Sequence, residues 1–229
     1  FGRMQIFNTD IHAALVTVEG LGIDVFGINC SIGPDLMEKT VEKLARFAHL
    51  PISVIPNAGL PVSENGRTVF KFPPEEFAAY LRKFVAEFGV NLVGGCCGTT
   101  PDHIRCLVES VRGFTPKSRR PEPGLYVSGP QQAVLLDGST TLIRFGERLN
   151  VRGSQKVREA VENEVGINHD ALEEVVREQV QDLGCEVIDV CMDSNMIDTV
   201  ETLKEVVHIQ CGDFPGAMCI DSFQVDALA

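Results

Sequence analysis

The chain has 229 residues, 44% of them apolar, with 20 Lys and Arg against 32 Asp and Glu and a formal net charge of −12. That is enough apolar chain for a packed core, and no stretch approaches the roughly 20 uninterrupted apolar residues of a membrane span. The acidity is concentrated, since residues 1–120 hold 13 basic and 12 acidic side chains while residues 121–229 hold 7 and 20, which argues against nucleic acid as a partner of the second half.

The start Phe1-Gly2-Arg3-Met4 has neither the basic opening nor the apolar run of a signal peptide, so a cytoplasmic protein without a membrane partner is expected. In that setting the eight cysteines are not expected to form a disulfide framework. Metal binding and plain burial remain.

Along the chain, strand and helix patterns alternate. Ile23–Ile28 is a short run rich in β-branched residues, broken at Asn29-Cys30-Ser31-Ile32-Gly33-Pro34, and Pro34 suits a first helical position. Met37, Val41, Leu44 and Ala48 follow at helical spacing. A second strand, 52–55, runs into Pro56-Asn57-Ala58-Gly59; after a polar loop, Phe77, Leu81, Phe84 and Phe88 mark the next helix. A third strand, 90–93, leads to Gly94-Gly95-Cys96-Cys97-Gly98-Thr99-Thr100-Pro101, followed by a helix with Ile104, Leu107, Val108 and Val111 on one face. Such units predict a parallel sheet with right-handed crossovers.

Residues 114–130 carry Pro116, Pro121, Pro123 and Pro130 without an apolar period and read as a linker. The pattern then restarts. A strand over 142–145 leads to Gly146-Glu147-Arg148-Leu149-Asn150; Leu172, Val175, Val176, Val180 and Leu183 form a helical stripe stopping at Gly184, a C-terminal cap. Glu173, Glu174 and Glu178 lie opposite that stripe as a solvated face. A strand over 187–190, a helix through Val200, Leu203 and Val207, and a strand over 217–221 complete the reading, so both α/β units are expected to be incomplete.

Cys30, Cys96 and Cys97 each fall just past a strand's C-terminal end, where parallel α/β folds gather their functional groups. Three thiolates there suit zinc, which takes sulfur at about 2.3 Å in a tetrahedron and in catalytic sites leaves one place open. Gly94, Gly95 and Gly98 allow the sharp turn that adjacent cysteines need. Thr100 and Pro101 start a helix whose dipole favours thiolate. Ordinary burial is the competing explanation, and it is the one adopted for Cys106, Cys185, Cys211 and Cys219; a Cys96-Cys97 redox pair is a further alternative, at the cost of strain. His103, at a helix start, is expected to cap or pack.

Gly27-Ile28-Asn29-Cys30-Ser31 and Gly94-Gly95-Cys96-Cys97-Gly98-Thr99-Thr100-Pro101-Asp102-His103-Ile104 resemble the two signatures of the zinc-dependent homocysteine S-methyltransferase family. The resemblance implies that Cys30, Cys96 and Cys97 hold Zn2+ and that homocysteine is the methyl acceptor, with Asn29 supporting the site beside a ligand or simply serving its turn. Gly146 to Asn150, Asp189 to Asp193 and Cys219 to Ser222 resemble the first three strand ends of the pterin-binding barrel of methylfolate methyltransferases. That second resemblance implies Glu147, Asn150, Asp189 and Asp221 around the pterin of 5-methyltetrahydrofolate, with cobalamin carried by another module of the same protein. Cys191 departs from the Asn common in that family, and Arg148 is read as a structural ion pair. The implied fold is α/β, parts of two (β/α)8 TIM barrels, both incomplete: residues 1–115, a Pro-rich linker 116–138, and residues 139–229. Competing expectations are a non-folate methyl donor, or a structural zinc closed by Cys106 or His103.

Overall fold

The structure is a computed structural model that describes residues 2–4, 6, 8–137, 142–213 and 216–229, and the side chains of 211–213 are not among those described. The expected burial of Cys211 therefore lies outside the described residues, as does the expected junction at 138/139. The chain divides into two units, which separate between Pro123 and Gly124.

The first unit runs α1 (Ile11–Gly20), β1 (Phe26–Asn29), α2 (Pro34–Phe47), β2 (Ile52–Ile55), a hairpin β3 (Val62–Glu64) and β4 (Arg67–Val69), α3 (Pro74–Phe88), β5 (Leu92–Val93) and α4 (Pro101–Val111). Strands β1, β2 and β5 form one parallel sheet with β2 in the centre. Its core joins Ile52 and Val54 to the predicted stripes of α2 and α3, with Val41, Phe77, Leu81 and Phe84 fully buried. Pro34 begins α2 as expected, and Gly89 ends α3 in the left-handed conformation at φ 67°.

Three expectations change here. Strand β1 starts later than expected, because Asp24 and Val25 are exposed. The polar loop before α3 contains the β3–β4 hairpin. On α4 the buried residues are His103 and Leu107, while Ile104 and Val108 are 40% and 46% exposed; the packed face is set by the contact with α3 rather than by apolar spacing.

The second unit opens with an antiparallel hairpin, β6 (Tyr126–Ser128) and β7 (Ala133–Leu135), inside the Pro-containing stretch. It continues with β8 (Phe145–Asn150), α5 (Gln155–Val161), α6 (His169–Arg177), β9 (Val187–Cys191), α7 (Thr199–Asp213), β10 (Ala217–Asp221) and α8 (Val225–Leu228). Strands β8, β9 and β10 are parallel neighbours in chain order. Leu149, Ile188, Val190 and Met192 pack against Leu172, Val175, Val176, Leu203 and Val206. Among the described residues neither parallel sheet closes into a barrel.

Gly146 to Asn150, expected beyond a strand, lie within β8, and the predicted long helix breaks at a π-helical turn, Glu178–Asp182. The two departures are one device. The β8–β9 register shifts between Gly146 and Leu149, freeing the Arg148 amide, and the π turn brings Gln179, only 1% exposed, inward so that its Oε1 accepts that N–H at 2.7 Å. The same rotation leaves Leu183, expected in the stripe, 53% exposed.

Replacing Phe84, fully buried, by alanine is expected to lower stability by about 3–5 kcal/mol. Val108→Ala on the outward face of α4 should change it by no more than about 0.5 kcal/mol. Urea unfolding followed by circular dichroism measures both.

Candidate metal centre and strand-end polar cluster

In the first sheet all three strands end on the same side, and the central one does the joining. Past β2, the Ile55 carbonyl accepts from Cys30 N at 2.9 Å, the Pro56 carbonyl from Cys96 N at 2.8 Å, and Ala58 N donates to the Cys97 carbonyl at 2.9 Å. Asn57, 4% exposed, donates its main-chain N–H to Ile32 O at 3.0 Å, and its side-chain Oδ1 accepts from Cys97 N at 3.1 Å. Sequence reasoning missed Asn57; an amide side chain following proline at a central strand end was the available signal. Asn29, by contrast, is exposed and pairs with Ile55 at the end of β1.

The backbone is forced at both cysteine loops. Cys30 and Ser31 have φ of 61° and 64°, a conformation that costs a non-glycine residue. Gly98 has φ 77°, and a Cβ there would come within 2.2 Å of Phe70, so glycine is required.

These constraints bring the sulfurs of Cys30 and Cys97 to 3.8 Å and those of Cys96 and Cys97 to 3.9 Å, all three ligand atoms lying within 4.8 Å of one another. A tetrahedral zinc with sulfur at about 2.3 Å holds its sulfurs about 3.8 Å apart. The spacing fits.

Three thiols this close cannot all ionise unaided. The Ser31 amide, then the Cys97 and Cys96 thiols, hold Cys30 below the ordinary cysteine value, whereas donation to Cys30 and Cys96 pushes Cys97 up to about 11. A bound dication would remove that conflict. Cys30 and Cys96 are half-buried and Cys97 is exposed, so the cluster opens outward.

The candidate fourth ligands are accounted for elsewhere. His103 Nε2 donates to the Phe72 carbonyl at 2.8 Å, so its Nδ1 carries the lone pair and accepts from Thr100 Oγ1 at 2.9 Å and Thr100 N at 3.2 Å. Both ring nitrogens are engaged, in the capping role expected. Cys106 packs against the core. Among the described residues no His, Cys, Asp or Glu joins the three cysteines.

In the second sheet Asn150, Cys191 and Asp221 share one register row at the strand ends, and Asp189 pairs with Cys219 two rows earlier on β9 and β10. Burial, then the charges of Asp221 and Glu147, raise the Asp189 carboxyl above its usual value, so three of the predicted pterin residues share one neighbourhood. Asn150 Oδ1 accepts from Arg152 N at 2.9 Å and Gly153 N at 3.0 Å, which fixes the turn after β8. Arg148 makes a long contact, 3.9 Å, with Glu178, while Glu173 and Glu174 pair with Arg177 and Lys156 on the exposed side of α6.

Cys191 is 3% exposed, and its thiol, raised first by burial, points at Asp193 Oδ2 at 3.7 Å. Cys185 is buried as expected, but Cys219 is exposed, as are Ile220 and Asp221 after it at the end of β10. The residue overlooked in this unit is Asp193. It is 2% exposed and accepts from Ser222 Oγ at 2.8 Å and Phe223 N at 2.7 Å, tying the end of β9 to that of β10.

Asn57→Ala is expected to destabilise by about 1–3 kcal/mol by leaving the Cys97 amide unpaired, and to weaken metal retention against a chelator. For Asp189 the folded carboxyl is raised, so the folded state binds the proton more tightly. Its unfavourable contribution is absent below the ordinary carboxylate range and sets in as pH rises through it. Asp189→Asn should therefore raise the melting temperature at neutral pH, with the gain shrinking as pH falls toward that range.

The profile of the homocysteine S-methyltransferase family matches residues 3–111. Over 200 residues, 87% of this chain, the sequence is 37% identical to the methionine synthase of Mycobacterium tuberculosis (strain ATCC 25618 / H37Rv), and over 196 residues, 82% of the chain, it is 38% identical to the methionine synthase of Mycobacterium leprae (strain TN). The chain spans 16% of the length of each of those relatives. The cysteine loops fall within the matched segment, so residues 3–111 are similar to the homocysteine S-methyltransferase family and, as a longer stretch, the chain aligns with methionine synthases.

Proposed function

We propose that this chain carries the zinc-thiolate site of a methionine synthase together with the first strand ends of its methylfolate site. The observation that carries the reading is the Cys30-Cys96-Cys97 group, whose sulfur spacing of 3.8–3.9 Å suits one tetrahedral ion. Cys30, Cys96 and Cys97 would hold Zn2+, with the homocysteine sulfur in the fourth place. When bound, zinc supplies a Lewis acid that keeps homocysteine deprotonated near neutral pH.

The rest falls to the protein. The Ile55–Ala58 segment holds the main chains of Cys30, Cys96 and Cys97 by hydrogen bonds, which places the three sulfurs together. Asn57 holds the Cys97 main chain, and Gly98 lets the loop pass Phe70. His103, whose Nε2–H donates to the Phe72 carbonyl, holds the start of α4 to Phe72. Overall, the N5–CH3 bond of the proposed donor, 5-methyltetrahydrofolate, gives way to the S–CH3 bond of methionine, the homocysteine thiol proton passes to solvent, and N5 of the departing tetrahydrofolate takes one up.

The methyl donor proposed is 5-methyltetrahydrofolate, acting through cobalamin held by a module outside these 229 residues. Asp189, Asp221, Glu147 and Asn150 would face the pterin, whose edge of fixed donors and acceptors matches carboxylate and amide groups. In this reading residues 1–115 and 139–229 are parts of two (β/α)8 barrels, with 116–138 between them, in a cytoplasmic enzyme. No helix among the described residues is long and apolar enough to cross a membrane.

Zinc X-ray absorption on the metal-loaded chain, with and without L-homocysteine, tests the proposal. Three sulfurs and one light atom should become four sulfurs when homocysteine is added. A coordination shell that does not respond contradicts a substrate-binding role.

A further inference from the structure

The parallel strands of the second unit end on the register row Asn150, Cys191 and Asp221. The residues two positions beyond those ends, Arg152, Asp193 and Phe223, form one contact group. Arg152 Nε donates to the Asp193 main-chain carbonyl at 2.8 Å, Phe223 N donates to Asp193 Oδ2 at 2.7 Å, and the Arg152 guanidinium lies 5.5 Å from the centroid of the Phe223 ring. The group thus stands on a buried carboxylate, held from a third direction by Ser222.

What this anchor supports is directed outward. Phe223 is 78% exposed, an unusual situation for a phenylalanine whose main chain is fixed. The guanidinium of Arg152 uses Nε alone for hydrogen bonding among the described residues, leaving both Nη groups unengaged as a ready fork for a carboxylate. Beside it the sheet face is acidic, with Glu147 and Asp221 close enough to raise Asp189. An anionic group approaching the strand ends is repelled by those carboxylates and attracted at Arg152.

We propose that Arg152 and Phe223 form a subsite for an aryl-carboxylate tail, the aminobenzoyl-glutamate portion of a reduced folate whose pterin lies at Asp189 and Asp221. This deepens the methylfolate reading and rests on it. The pterin needs a polar edge, the aminobenzoyl ring an apolar plane, and the glutamate a cation. The strand ends offer these as the carboxylates, Phe223 and Arg152.

The test compares two ligands on the chain by calorimetry: 5-methyltetrahydrofolate, and a tetrahydropterin lacking the aminobenzoyl-glutamate tail. Arg152→Gln is expected to weaken the folate about ten-fold or more, with a reduced salt dependence, and to leave the tail-less pterin unchanged. Phe223→Leu should weaken the folate several-fold, again without affecting the pterin. Equal weakening of both ligands, or no change in either, overturns the subsite while the pterin reading stands. If the unsubstituted chain binds neither ligand, the pterin reading fails and the subsite fails with it. Thermal melts by circular dichroism confirm that the variants are folded.

Discussion

The geometry of the metal centre depends on the path of the chain from Ile55, the last residue of β2, to Ala58. Because β2 is the central strand, its extension can hydrogen-bond to the Cys30 loop on one side and the Cys96-Cys97 loop on the other. Two loops separated by more than 60 residues in the chain are thereby held by one rigid segment. Their sulfurs stand at a spacing that suits a metal ion. The backbone strain is stored locally, in the left-handed Cys30 and Ser31, while Gly98 lets the second loop pass Phe70 without it. The buried core of α2, α3 and β2 offsets it.

The second unit solves a different problem with similar means. A register shift in β8 frees one amide, and a π turn in the following helix supplies the buried glutamine that satisfies it. Beyond the strand ends Asp193 gathers Ser222, Phe223 and Arg152, so that a face bearing several carboxylates keeps a defined shape despite their mutual repulsion.

Much of this was legible in the chain. Helices α2 and α3 followed from apolar spacing because their stripes face a sheet, and β2 and β9 from short β-branched runs. The cysteines stood out through their position after strands and their glycine-rich setting. What escaped was set by partners distant in sequence. Spacing alone cannot tell that α4 buries His103 and Leu107 rather than Ile104 and Val108, since the neighbouring α3 decides it. Nor can it find Asn57 or Asp193, whose importance lies in hydrogen-bond partners 29 to 40 residues away. The π turn was hidden because Gln179 reads as an ordinary surface residue until the unpaired Arg148 amide is known.

The account stands on three sulfurs from two loops sharing one ion. A crystal of the zinc-soaked chain, measured on both sides of the zinc absorption edge, addresses that directly. The expected result is a single anomalous peak about 2.3 Å from each of the sulfurs of Cys30, Cys96 and Cys97. A peak bound to other residues, or a Cys30 sulfur standing apart from the Cys96-Cys97 pair with no ion between them, would contradict it.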